Sequence, residues 1–168
     1  MVITSGQIRL RAAVLSGLIV IGMSLPAHAQ PSQSSKSSIA INGGASIDPQ
    51  QVYAGVAWES PDIGGRFRFR PGLDGGFGDG LRLATFNIDF VYAFPLGTSH
   101  WTLINGGGPV VSMVKYPDTP EAGLEVHAGG SYLFELRHEN GFFTEFRLGG
   151  GGYTPNLKFG AGWAFEIK

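Results

Sequence analysis

The alternation of apolar and polar residues over most of the chain constrains its fold more than any other feature. In one segment every second residue is apolar and most are aromatic: Ala84, Phe86, Ile88, Phe90, Tyr92 and Phe94. The residues between the first four of these, Thr85, Asn87 and Asp89, are polar. Successive side chains of a β-strand point to opposite faces, so a period of two indicates strands. The sequence therefore predicts an all-β fold.

The alternation recurs in eight segments, separated by clusters of Gly, Pro, Asp and Asn that are typical of turns. The predicted strands cover approximately residues 39–46, 52–59, 65–70, 81–94, 101–114, 122–137, 142–149 and 157–167. Several exceed the five or six residues usual in soluble sheets, and roughly nine to eleven residues cross a bilayer at a tilt. An even number of such strands favours an eight-stranded antiparallel up-and-down transmembrane β-barrel, which leaves no unpaired edge in lipid. A soluble periplasmic barrel is the alternative.

The N-terminal residues have the three parts of a secretory signal peptide. Arg9 and Arg11 precede the apolar run AAVLSGLIVIGMSL, and Ala27 and Ala29 occupy the small-residue positions before a cleavage site. We therefore predict a signal peptide at 1–29 with cleavage near Ala29, a flexible Ser-rich leader at 30–38, and a barrel domain at 39–168. Export with a cleaved signal peptide and a membrane barrel together predict the bacterial outer membrane.

Charge and cysteine content narrow the classes of partner. The formal net charge is -1, which gives no basic surface for nucleic acid. The chain contains no Cys, so hydrogen bonding and burial must stabilise it without disulfides. No motif for a cofactor is present.

The inward face of an eight-stranded barrel encloses a space just wide enough for side chains to fill it. On the predicted facing, acids and bases in this lumen nearly balance, which indicates an ion-pair network that plugs the bore. Its predicted members are Glu59, Arg66, Arg68, Arg70, Asp89, Glu125, His127, Glu135, Arg137, Glu145, Arg147, Lys158 and Glu166. The segment RFRFRP contains Arg66, Arg68 and Arg70. For these three residues, an anion-selective constriction or a contact with lipid phosphate is the alternative.

The sequence HENG predicts the register of one hairpin. A three-residue loop from Glu139 to Gly141 commonly has a left-handed glycine at its last position. Pairing across this loop places Glu135 opposite Glu145, and Arg137 and Arg147 are then expected to approach these acids diagonally.

No catalytic, cofactor-binding or metal site is predicted. His127 and Ser131 share a face with Glu125, but four residues along a strand separate His127 from Ser131 by about 13 Å, beyond hydrogen-bonding reach. The glycine clusters at 106–108 and 149–152 do not open a helix, so they lack the geometry of a phosphate loop. We expect them to allow close backbone approach, a bulge or a flexible loop.

Four segments carry a family resemblance: GGGPVV, GLEVHAGGSYLFELR, FRLGGGG and LKFGAGWAFE. They resemble the small eight-stranded outer-membrane β-barrel proteins of Gram-negative bacteria, in the opacity-like or OmpA/OmpW-like group, over roughly residues 39–168. The resemblance implies a monomer that contacts outer-membrane lipids and is inserted by the barrel-assembly machinery. Such barrels usually end on an aromatic residue, whereas here Phe165 precedes the terminal Lys168 by three residues.

Three functions are compatible with this pattern. The first is a non-enzymatic envelope protein with at most weak, porin-like passage of small solutes. The second is a surface ligand-binding or adhesion barrel that acts through short outer loops such as DGGFGDG and KYPDTPEAG, within the predicted loops near 47–51, 71–80, 115–121 and 150–156. The third is a lipid-modifying enzyme.

Overall fold

The computed structural model describes residues 36–117 and 123–167. The predicted signal peptide, most of the leader, part of the connection KYPDTPEAG and Lys168 lie outside the described residues. Regular structure in the described part consists of eight β-strands: β1 (Ser37–Ile47), β2 (Gln51–Glu59), β3 (Phe67–Gly78), β4 (Leu81–Pro95), β5 (Trp101–Lys115), β6 (Glu125–His138), β7 (Phe142–Gly150) and β8 (Leu157–Ile167). A search of these residues finds no helix with the length and apolarity needed to cross a membrane.

The eight strands form a closed antiparallel barrel in chain order. Each strand pairs with its neighbours in sequence, and β1 pairs with β8 from Ser37 opposite Ile167 to Ile47 opposite Leu157. Closure satisfies the backbone groups that a sheet edge would leave unpaired. The predicted eight-stranded up-and-down barrel is therefore confirmed, with β1 beginning two residues earlier than expected.

Strand β3 differs most from the prediction, because it continues to Gly78 instead of ending at residue 70. Its glycine-rich second half pairs with β4, from Pro71 opposite Ile88 to Gly78 opposite Leu81. The turn that follows consists of Asp79 and Gly80, both with positive φ, as a tight two-residue hairpin requires. The predicted outer loop at 71–80 is therefore wrong, since most of it is strand.

The two faces of the barrel follow the predicted alternation. In β4, Phe86 and Phe90 are exposed on the outside, whereas Asn87 and Asp89 are buried in the lumen. The lumen also holds an apolar cluster towards each end. One cluster lies towards the end where β1 begins and β8 ends, which is called the end that holds the termini below, and contains Val91, Ala93, Ile104 and Leu133. The cluster at the opposite end contains Leu81, Leu83 and Val114, with Tyr116 and Tyr153 packed against it.

Glycine occupies inward positions where neighbouring strands approach too closely for a side chain. A Cβ on Gly108 would lie 1.9 Å from the carbonyl oxygen of Ile88. Next to it, Pro109 has no N–H, and the β4–β5 register shows no pair between Asn87 opposite Val110 and Phe90 opposite Gly107. This is the close backbone approach predicted for the first glycine cluster.

Candidate functional site in the barrel lumen

An ion-pair chain begins at the end of the barrel that holds the termini. Arg68 donates from Nε to Asp62 Oδ1 at 2.6 Å and from Nη1 to Glu59 Oε1 at 2.6 Å. Arg137 donates to both carboxylate oxygens of Glu59, at 3.0 and 2.9 Å, and from Nε to Glu135 Oε1 at 2.6 Å. Two guanidinium groups therefore hold Glu59, which is 2% exposed, in a charge-assisted cluster.

Arg70 continues this chain into the middle of the lumen. Its Nη1 donates to Glu135, its Nη2 lies 4.0 Å from Glu145 Oε2, and its guanidinium group lies over the ring of Phe143 at 5.7 Å. Glu135 and Glu145 are directly opposite each other on β6 and β7. Because like charges in this position repel, the cation of Arg70 between them offsets part of the cost of burying both acids.

Glu145 also receives two neutral donors. Asn42 donates from Nδ2 at 2.5 Å and Tyr53 donates from its hydroxyl at 2.9 Å, both to Oε1. Tyr53 also packs its ring against Lys158, whose Nζ lies 4.0 Å from the ring centroid. Polar side chains from β1, β2 and β8 thus complete the middle of the lumen.

Two further ion pairs lie closer to the opposite end. Arg147 pairs with Asp89 at 2.9 Å and donates to Ser131 Oγ at 2.8 Å. Lys158 pairs with Asp74 at 2.6 Å. Asp74 Oδ2 also accepts hydrogen bonds from the side chains of Thr85, at 3.2 Å, and Asn87, at 3.0 Å. The buried carboxylate of Asp74 therefore has charged and neutral donors together, whereas Asp89 pairs with Arg147.

Three of the ion pairs cross the bore between strands that are not adjacent. Arg70 on β3 reaches Glu135 on β6, and Arg147 on β7 reaches Asp89 on β4. Arg137 on β6 reaches Glu59 on β2, which is four strands away around the closed barrel. Side chains that meet across an eight-stranded barrel fill its interior at their level.

The structure brings most of the predicted network residues together in the lumen. They are Glu59, Arg68, Arg70, Asp89, Glu135, Arg137, Glu145, Arg147 and Lys158. Four other members lie elsewhere. Arg66 lies in the turn before β3 with φ 77°. Glu166 pairs with Lys36 at 2.8 Å, where both side chains are more than half exposed. Glu125 and His127 pair with each other at 3.2 Å, at the start of β6.

The predicted hairpin register is confirmed, but the predicted diagonal ion pairs are wrong. The loop runs from Glu139 to Gly141, whose φ is 94°, and Glu135 lies opposite Glu145. Arg137 pairs with Glu135 on its own strand and with Glu59, whereas Arg147 pairs with Asp89. The strong curvature of a small barrel directs inward side chains across the bore, so remote strands compete with adjacent ones.

Sequence reasoning missed Asp62 and Asp74 as carboxylate partners and Asn42 and Tyr53 as donors. Asp74 lies in the segment that was predicted to be a loop. The alternation of Leu73, Gly75 and Phe77 around it was the available signal, because it continues the outward face of β3. Asp62 lies in the β2–β3 connection, where alternation gives no information.

The residues considered for catalysis do not form a catalytic group. The Ser131 hydroxyl accepts from Arg147, and His127 pairs with Glu125 and packs its ring against Tyr153 at 4.6 Å. Neither side chain has a hydrogen bond to the other. Within residues 36–117 and 123–167, no group of three or more His, Cys, Asp or Glu side chains could hold a metal ion.

The two ends of the lumen differ. At the end that holds the termini, an open cavity of about 450 Å³ reaches down to Glu59, Arg68 and Arg137. At the other end Tyr116 donates to the Tyr153 hydroxyl at 2.7 Å, and this hydrogen bond raises the pKa of Tyr116 to about 12. Both tyrosines pack against Leu81, Leu83 and Val114 at this end.

Comparison with known proteins gives the fold. No family model and no curated protein sequence matches the chain. The solved N-terminal β-barrel domain of Pseudomonas aeruginosa OprF has a TM-score of 0.61 at 12% identity, over 80% of this chain and 98% of that domain. Neisserial surface protein A has a TM-score of 0.59 at 11% identity, over 79% of this chain and 95% of that protein. The chain thus has the fold of small eight-stranded outer-membrane barrels.

Proposed function

We propose that the chain is a non-enzymatic, monomeric outer-membrane β-barrel protein with a structural role in the envelope and at most weak passage of small solutes. The observation that carries this proposal is the inversion of its two faces. Apolar side chains cover the outside, whereas paired charges fill the inside. A water-soluble barrel has the opposite arrangement, with polar side chains on the outside and an apolar core.

The outside supports a lipid environment. Its exposed residues include Val52, Phe77, Phe90 and Phe165, each more than half exposed, and they recur around the whole barrel. Soluble monomers rarely expose contiguous apolar patches beyond a few hundred Å². In lipid, exposure of the same apolar side chains carries no free-energy cost. The closed barrel also leaves no edge strand unpaired.

The ion pairs in the lumen support the proposal that the barrel is plugged by its own side chains. A solute would have to separate Arg70 from Glu135 or Arg147 from Asp89, and each separation exposes a charge that is 7% exposed or less. The open cavity is lined by Glu59, Arg68 and Arg137, and its lining includes neither of these two pairs. Passage of ions or larger solutes should therefore be weak.

The other candidate functions receive less support. The segment DGGFGDG is mostly strand, so it offers no binding loop beyond Asp79 and Gly80. A lipid-modifying enzyme needs a nucleophile and a base within reach, and His127 and Ser131 have separate partners. Signal-peptide cleavage near Ala29 and insertion by the barrel-assembly machinery belong to the same proposal.

Envelope fractionation tests the proposed location. We expect the protein in the outer-membrane fraction, with different gel mobility before and after boiling in detergent, because a closed barrel resists unfolding at room temperature. A soluble periplasmic protein of similar mass serves as the fractionation control. Recovery of the protein in the soluble periplasm, with no change of mobility on heating, would contradict the proposal.

A further inference from the structure

The outward face carries one pair of charged residues that the plug and the fold do not use. Among Asp, Glu, Lys and Arg, the residues on the outward face of the eight described strands are Arg82 on β4 and Lys115 on β5. They lie directly opposite each other in the β4–β5 register. Both are exposed, and neither side chain forms an ion pair or a hydrogen bond with the residues that the structure describes.

Two like charges in direct cross-strand contact repel each other, so an anion between them would relieve this cost. Arg presents a planar fork of donors that suits phosphate, and Lys adds a point charge. The pair lies at the end of the barrel opposite the termini. The connections near 47–51 and 150–156, predicted as outer loops, lie at this end, so in the proposed outer-membrane barrel it reaches the outer leaflet.

The surface next to the cations is apolar. Phe77, which pairs with Arg82 on its other side, is 61% exposed. Moving towards the middle of the barrel, Met113 lies opposite Ala84 and Val111 lies opposite Phe86 on the same outward face. A ligand that fits this surface has a compact anionic head and an apolar chain.

Resting on the proposed function, we propose that Arg82 and Lys115 bind the phosphate headgroup of an anionic lipid in the outer leaflet, with an acyl chain along Met113 and Phe86. Phosphate monoesters suit the site best, because their two negative charges match the two cations. A free phosphate ion would contact the two cations but not the apolar surface at Met113 and Phe86. This difference distinguishes binding of a lipid headgroup from binding of free phosphate.

Native mass spectrometry of the purified protein tests the site. The protein is released from micelles that contain phosphatidic acid and phosphatidylcholine in equal amounts, and the retained lipids are counted. We expect retention of phosphatidic acid over phosphatidylcholine, and a decrease of this ratio by about thirtyfold in the variant Arg82→Gln/Lys115→Gln, given the usual gain per cation at a membrane surface. The swap Arg82→Lys/Lys115→Arg should keep the preference.

The control Lys36→Gln removes a cation at the other end and should leave the ratio unchanged. Equal retention by the double Gln variant and the unmodified protein would overturn the site, as would full displacement of the lipid by an equal concentration of inorganic phosphate. Heat-dependent gel mobility of each variant separates this result from a folding failure. An unmodified protein that does not form a heat-modifiable barrel in lipid would contradict the proposed function, and with it the site.

Discussion

Replacing Arg70 by Ala should lower the free energy of unfolding by about 3–5 kcal/mol, because it leaves buried Glu145 without a paired cation and removes one of the two cations of buried Glu135. Arg70 is 2% exposed and pairs with Glu135, with Glu145 at 4.0 Å. The expected measurement is urea unfolding of the refolded barrel in micelles, followed by fluorescence of its three tryptophans. Loss of this one side chain should be the largest effect of any single charge in the lumen.

Arg66 provides a matched control from the same segment, RFRFRP. It lies in the turn before β3, so Arg66→Ala should change stability by less than about 0.5 kcal/mol. A second substitution tests the cause of the loss. Adding Glu135→Gln to the Arg70→Ala variant should restore part of the stability, since it neutralises an acid that has lost one of its two cations. Equal stabilities of the two single arginine variants would show that the lumen charges are not coupled as described.

Gly44→Ala should destabilise the barrel by about 3 kcal/mol, because the added methyl group has no space at the seam that closes the sheet. A Cβ on Gly44 would lie 1.9 Å from the carbonyl oxygen of Phe159 and 2.7 Å from Cα of Gly160. These contacts are with backbone, so β1 and β8 would have to separate. The same urea titration measures the loss, and the fraction of heat-modifiable protein after refolding should fall with it.

Gly75→Ala is the control for this effect. Gly75 lies on the outward face of β3, and a Cβ there meets nothing within 4 Å. This variant should be neutral or slightly stabilising, since Ala loses less backbone entropy on folding than Gly. Similar losses in both glycine variants would mean that backbone freedom, and not space at the seam, explains the requirement for glycine.

The barrel could be predicted from the sequence because alternation is a local property of each strand. Residues 84 to 90 show it without interruption, and the hairpin at Glu139 to Gly141 fixes a register through its turn chemistry. Strand β3 was predicted too short because Pro71 and several glycines resemble a loop. Glycine is favoured there for another reason: a Cβ on Gly76 would lie 2.5 Å from Gln51 Oε1 in the crowded lumen.

The partners within the lumen could not be predicted in the same way. Alternation places Arg137, Arg147 and Lys158 on the inward face, but it does not show which acid each of them reaches. That choice depends on barrel closure, which brings β2 and β6 to opposite sides of one bore. The positions of Arg66, Glu125 and Glu166 show a second limit. Alternation assigns these residues to the inward face, but a side chain at or beyond the end of a strand does not have to lie inside the lumen.

The most direct test of the central claim is to ask which face of β4 contacts lipid. The chain contains no Cys, so nitroxide labels can be attached to single cysteines in the reconstituted barrel. Labels at positions 86, 88 and 90 should collide with oxygen dissolved in lipid and not with a water-soluble nickel reagent, whereas a label at position 87 should be shielded from both. Contact of labels at positions 86, 88 and 90 with the nickel reagent would contradict a lipid-facing outer surface. Free access of that reagent to position 87 would contradict a filled lumen.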